Sequence, residues 1–270
     1  VNGLDPAARL AAAVAAINRD HGNADFVALA GDLADLGEVA AYEVLRDTLA
    51  PLTVPCHITL GNHDVPEAFL SVFGAGLSDP SAKVSKVIDV GGYRVILLDT
   101  TTPGTHAGAL CQGRKDWLAE RLEEARDRPV IVVMHHHANV LSLPVDEIPL
   151  ADGAGFAQLL QRHPDVRMVI SGHVHLTTSG VWHGIPMTTL AGSHYSVNAH
   201  LPGMAGDQLR LEGPAQMAVV LADAAGVTVH FQDYLNRHVE LAAGLFPEGE
   251  ARQRKVPGAQ RQALRARSIY

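Results

Sequence analysis

Four times along this chain a short apolar run ends in a tight polar cluster, and that repetition constrains the fold more than any other feature. Residues 26–30 run into Gly31-Asp32, and His57-Ile58-Thr59-Leu60 runs into Gly61-Asn62-His63-Asp64. Residues 129–134 end in His135-His136-His137, and residues 166–170 lead to Gly172-His173-Val174-His175. Each run has the length of a buried strand and delivers its cluster to a loop. Taken singly, such pieces are ordinary: Gly-Asp caps a helix, and Gly-Asn and His-Asp pairs make turns. All four in one chain, each at a strand end, imply one shared site on one sheet edge, where sheets of this kind carry their chemistry.

The segments between the strands read as helices. Asp5-Pro6 supplies an N-cap and a first-turn proline, followed by Leu10, Val14 and Ile17 at helical spacing. Further helices are expected over 38–49, with Tyr42, Leu45 and Leu49 on one side, and over 66–73, 115–125 and around Phe156, Leu159 and Leu160. Gly91-Gly92 reads as the turn of a hairpin joining strands near 84–90 and 94–99. After residue 180 the pattern changes to strands and loops, with tight turns at His183-Gly184 and Ala225-Gly226 and a long loop over 191–214. Alternating strands and helices followed by a strand-rich end predict an α/β chain of two packed mixed sheets flanked by helices. Residues 1–240 form one domain in this reading. Residues 241–270 form a tail whose last twenty hold six Arg and Lys and no acid, a solvated or partner-contacting segment.

A net charge of −8 argues against a nucleic-acid polymer as partner, because such binding needs Lys and Arg to neutralise phosphates. It does not exclude a small anionic substrate when bound cations dominate the local field. No apolar run is long enough to span a bilayer. The two cysteines, Cys56 and Cys111, make neither a disulfide scaffold nor a Cys-rich zinc motif, and read as thiols in a reducing, cytoplasmic compartment. Histidine is the outlier, at 15 residues, several of them clustered.

The clustered residues are metal ligands by type. A carboxylate such as Asp32 can bridge two cations. The imidazoles of His135, His173 and His175 suit Zn, Fe, Mn or Co, and the Asn62 carbonyl completes a harder position. Two divalent or trivalent ions about 3.5–4 Å apart would clamp a phosphoryl group and make a hydroxide nucleophile available near neutral pH. His63, beside Asn62, is placed to stabilise the transition state or protonate the leaving oxygen.

Gly31-Asp32-Leu33-Ala34-Asp35, Gly61-Asn62-His63-Asp64, His135-His136 and Gly172-His173-Val174-His175 resemble the successive motifs of the calcineurin-like metallophosphoesterases. Their spacing is similar to that of class III cyclic-nucleotide phosphodiesterases and related glycerophosphodiesterases, over roughly residues 4–235. The resemblance implies a four-layer αββα sandwich, homo-oligomers, and hydrolysis of small phosphodiesters at a binuclear centre. It implies that Asp32 bridges the metals, that Asn62, His135 and His173 serve one ion and His175 the other, and that His63 is the non-ligand catalytic histidine. A phosphomonoesterase of the same fold, or a catalytically weak metal-binding protein, are the competing expectations.

The sequence departs from that pattern twice. Family members open with a strand ending in Asp-x-His, and no Asp-x-His occurs here. The first residue is Val, so the expectation is a sequence that begins downstream of its true start, with a gap or a shifted strand in the sheet. The second departure is His137, where the family has proline. His137 reads as a solvated loop residue or an extra substrate contact, and His194 and His200 of the long loop are the other candidates to touch the phosphate.

Overall fold

The computed structural model describes residues 3–79 and 82–235, so the basic segment expected as a tail lies outside the described residues. Its centre is a six-stranded sheet in the order β3 (Lys86–Val90), β4 (Tyr93–Leu98), β5 (Val130–Met134), β6 (Val166–Ser171), β8 (Ile185–Thr189), β7 (Thr178–Trp182). β4, β5, β6 and β8 run parallel, while β3 and β7 close the two edges antiparallel. Every residue of β4 and β5 is buried, as expected of parallel strands covered on both faces. Both edge hairpins turn where the sequence places them: Gly91-Gly92, and His183-Gly184, all four with positive φ.

Alternate residues of the central strands face two different cores. Ile96, Leu98, Val130, Val132, Met134 and Val169 pack under α4 (Gln112–Glu123) and α5 (Gly153–Leu160), meeting Leu118, Leu122, Phe156 and Leu160. Tyr93, Val95, Leu97, Ile131, Val133 and Ile170 face the other way, against Phe26, Ala28 and Ala30 and against Val227. These belong to a second strand layer made of β1 (Val27–Ala30), β2 (Cys56–Thr59), β11 (Gln216–Ala222) and β12 (Val227–Asp233). A third core lies beyond it, where Leu29, Ile58 and Leu60 meet Leu10 of α1 (Pro6–Asp20), Tyr42 and Leu45 of α2 (Val39–Leu49) and Phe69 of α3 (Pro66–Phe73). The order helices, strands, strands, helices is the expected four-layer αββα sandwich. Full burial of each such Leu or Phe contributes about 1.5–3 kcal/mol.

The second layer is not one sheet. β1 pairs only with β2, in parallel, and β11 only with β12, antiparallel; among the described residues no ladder joins the two pairs. All four residues of β1 are only half-buried, unlike those of β4 and β5. Among the described residues, neither pair has a further strand partner at its edges. Side chains bridge the layers instead: the Tyr93 hydroxyl donates to Asp223 O at 2.7 Å, and His21 Nε2 meets Gln232 Oε1 at 2.6 Å. The sequence reading missed β9 (Ser196–Val197) and β10 (Arg210–Leu211), a two-residue ladder inside the long loop. Ladders this short carry no periodicity to read. No described helix is long and apolar enough to cross a membrane, and Cys56 and Cys111 are both free thiols.

Candidate metal centre

β1, β2, β5 and β6 all end on the same edge, and their polar clusters meet there. The meeting point is the Nε2 atom of His135. Its neighbours are Asn62 Oδ1 at 3.0 Å, His173 Nδ1 at 3.1 Å and Asp32 Oδ2 at 3.3 Å. These separations match the edges of a coordination polyhedron: bonds of about 2.0–2.1 Å put neighbouring ligands about 2.9–3.4 Å apart. The outer nitrogens are committed elsewhere. His135 Nδ1 donates to Ala30 O at 2.8 Å and His173 Nε2 to Ile148 O at 3.0 Å, so each ring turns its other nitrogen inward. Backbone carbonyls behind metal-binding histidines do this work of fixing tautomer and ring angle. The donor set therefore fits a divalent cation.

His175 is oriented in the same manner: its Nδ1 donates to Tyr195 O at 2.9 Å while its ring stacks on Tyr195 at 4.1 Å. Asp32 and His135 are among the charges acting on it. Asp32 Oδ1, the oxygen turned from His135, accepts the His63 backbone N–H at 3.0 Å. His63 stands at the rim, 39% exposed, its Nδ1 donating to Asp35 O at 2.8 Å.

The loops that carry these groups are held in uncommon conformations. Asp32, His173 and His175 have φ of 54°, 66° and 55°, a left-handed region uncommon for non-glycine residues. Glycine makes the convergence possible. A Cβ on Gly31, itself at φ 87°, would meet the Gly61 nitrogen at 2.5 Å, and one on Gly61 would meet Asp32 Oδ1 at 2.3 Å. Asp64 then locks the two loops together. Its carboxylate accepts from the backbone nitrogens of Leu33, Ala34 and Gly61 at 3.0, 3.2 and 2.8 Å and from the Tyr42 hydroxyl at 3.0 Å. Burial raises the Asp64 carboxyl to about 6 even against these donors.

Burial would push His135 down, but the Asp32 charge and hydrogen bond carry it above its ordinary value. Asp32, which burial alone would raise, is held well below the usual carboxylate range by the same pairing. Burial, then the charge on His135, lowers His173, and burial lowers His175. Neutral imidazoles beside an ionised carboxylate are the forms a cation binds.

Among the described residues, His135, His136 and His173 form a group with one ligand atom of each within 4.8 Å of the others. His136 is nevertheless spoken for: Nδ1 meets the Thr100 hydroxyl at 2.7 Å and Nε2 donates to His106 O at 3.1 Å. Burial pushes it down to about 3. Asn62 and Asp32 are better placed partners for the other two rings.

The three expected substrate contacts fare differently. His137 is corrected: it is fully buried, stacks on His173 and turns Nε2 to Asp146 at 3.1 Å, so it backs the site instead of facing substrate. Its partner, nine residues on, could not be inferred from spacing. His194 lies edge-on to Tyr195 at 5.3 Å, and among the charges acting on His175 is its own. His200 is half-buried between β9 and β10, with no contact that ties it to the cluster. Sequence reasoning missed His106, whose Nδ1 lies 2.9 Å from Asn62 Nδ2; a lone histidine in a polar loop gives no pattern to find.

Donors of this kind at the strand ends of an αββα sandwich define a class of metal-assisted phosphoester hydrolases. A sequence profile of the calcineurin-like phosphoesterases matches residues 4–176. A probable cyclic nucleotide phosphodiesterase of Rhodopseudomonas palustris is 35% identical over 240 residues, covering 85% of this chain and 85% of its own. A cAMP/cGMP dual specificity phosphodiesterase of Mycobacterium tuberculosis is 33% identical over 199 residues, 72% of this chain and 62% of that protein. Among solved structures, a dimetal phosphatase from Danio rerio has the same fold, with a TM-score of 0.57 at 17% identity over 68% of this chain and 76% of its own. The chain belongs to the calcineurin-like phosphoesterase family.

Two outcomes follow from the geometry. Asp64→Ala strands several buried donors and costs about 3 kcal/mol or more in urea unfolding; a loss under about 1 kcal/mol would contradict its role as the clasp. A cation must displace the proton that Asp32 favours on His135, whose pKa is raised, so competition persists above the ordinary histidine range and grows as pH falls. Mn²⁺ affinity measured by calorimetry should weaken about tenfold per unit below that raised pKa; a flat profile between pH 8 and 6 would contradict it.

Proposed function

We propose that this chain hydrolyses small phosphodiesters, of the cyclic-nucleotide or glycerophosphodiester type, at a binuclear metal centre. The observation that carries the reading is the convergence of Asn62 Oδ1, His173 Nδ1 and Asp32 Oδ2 on His135 Nε2. Asp32, Asn62, His135 and His173 would hold one cation, and Asp32 with His175 part of the shell of a second. When bound, such cations polarise the phosphoryl oxygens and acidify a water. Metal identity among Fe, Mn, Zn and Co is left open by so mixed a donor set.

The chain's own groups do the rest. Asp32, held ionised, balances the cation charge. The backbone carbonyls of Ala30, Ile148 and Tyr195 fix His135, His173 and His175 so that no reorientation is needed when substrate arrives. His63 donates Nδ1–H to Asp35 O, which leaves Nε2 as the nitrogen for proton exchange with the leaving oxygen. The relatives named as cyclic nucleotide phosphodiesterases support a diester over a monoester substrate. Self-association and a reducing, cytoplasmic setting belong to the same proposal. Leu201, Met204, Leu209 and Leu211, exposed around the β9–β10 ladder, offer an apolar contact, and the exposed Cys111 thiol fits a reducing compartment.

A second reading has its own support. One cation position has four converging donors, whereas among the described residues only Asp32 and His175 are assigned to the other. A protein with one occupied position would bind metal and turn over weakly.

With Mn²⁺ added, bis-p-nitrophenyl phosphate should be hydrolysed faster than p-nitrophenyl phosphate, and elemental analysis should give two ions per chain. Faster monoester turnover would reverse the substrate assignment, and one ion per chain would favour the second reading. His63→Ala should lower kcat by about 10²–10⁴-fold with the metal content unchanged; wild-type kcat would remove His63 from the chemistry.

A further inference from the structure

Asn62 presents a side chain whose two ends are nearly the same size and chemically opposite. Only the carbonyl oxygen ligates a cation; the NH₂ group repels one. Asn62 Oδ1 faces His135 Nε2 at 3.0 Å, the orientation a cation needs. Something must hold the oxygen inward.

His106 stands on the outer side of that carboxamide, its Nδ1 2.9 Å from Asn62 Nδ2. It belongs to the loop between β4 and α4 and is exposed, so by itself the contact resembles a chance surface pairing. The backbone beneath it is not free, however. His106 O accepts from the buried His136 Nε2 at 3.1 Å, and His136 is held from its other side by the Thr100 hydroxyl at 2.7 Å. Two residues on, the Gly108 nitrogen donates to Pro149 O at 3.0 Å, and Gly108 O accepts from Ala151 at 2.8 Å. A Cβ on Gly108 would strike the His136 ring at 2.6 Å, so glycine there lets the loop lie flat on that ring. An exposed imidazole on a backbone held at His106 O and at Gly108 is preorganised towards Asn62, with the His63 ring tilted beside it at 5.4 Å.

Resting on Asn62 as a cation ligand, we propose that His106 is a positioning residue: its Nδ1 accepts the Asn62 carboxamide N–H and so keeps Oδ1 facing His135 and the cation. His106 touches neither cation nor substrate in this role. It acts through Asn62, and the buried His136 ring serves as its support.

The test uses the full chain, Mn²⁺ as the probe, calorimetry for affinity and bis-p-nitrophenyl phosphate for kinetics. His106→Ala should weaken Mn²⁺ binding by about 10–100-fold, the usual cost of removing a group behind a metal ligand. It should lower kcat while leaving KM at the wild-type value. His106→Gln, whose carbonyl oxygen can accept the same N–H, should recover most of the affinity, and its thermal melt separates this from a folding defect. In an Asn62→Ala background His106→Ala should cause no further loss. Wild-type Mn²⁺ affinity in His106→Ala, an equal loss in the Asn62→Ala background, or a rise in KM alone would each overturn the proposal. A wild-type chain that binds no Mn²⁺ fails the metal reading itself, and this inference with it; a wild type that binds while His106→Ala is indifferent fails only the inference.

Discussion

The Nε2 lone pair of His135 is the atom on which the arrangement depends. It can point inward only because Nδ1–H is taken by Ala30 O, and that hydrogen bond spans the two strand layers, from the end of β5 to the end of β1. Packing of the six-stranded sheet against β1, through Val133 and Ile170 on one side and Ala28 and Ala30 on the other, thereby sets the position of the ring. The site is a consequence of how closely two layers approach. Small side chains in β1 permit that approach, and larger ones there would push the layers, and with them the donors, apart.

Around that atom the backbone is strained and crowded. Three site residues lie at positive φ, and two glycine loops touch at distances no side chain could tolerate. Such conformations cost of order 1–3 kcal/mol each and persist only where the surroundings enforce them. Asp64 is the main enforcement here, since one carboxylate takes hydrogen bonds from both loops and from Tyr42 beneath them.

The sequence made the fold legible where periodicity and punctuation were strong. Pro6, Gly91-Gly92 and His183-Gly184 mark boundaries that the structure keeps, and the apolar runs before each polar cluster became β1, β2, β5 and β6. Asp32, Asn62, His135 and His173 were legible because each ends a strand, and strand ends on one edge must meet. What could not be read depended on loop conformation. His137 read as a solvated loop residue or a substrate contact, yet its ring is buried on Asp146, and His106 gave no signal because only the folded loop brings it to Asn62. Similarly, the partly exposed state of β1 is a fact of the folded chain that no periodicity carries.

The central claim is that four groups from four strand ends surround one cation position. Anomalous diffraction from crystals soaked in Mn²⁺ tests it most directly. The account predicts a peak about 2.0–2.3 Å from His135 Nε2, His173 Nδ1, Asn62 Oδ1 and Asp32 Oδ2 together. A peak bound elsewhere, or none at saturating Mn²⁺, would contradict it.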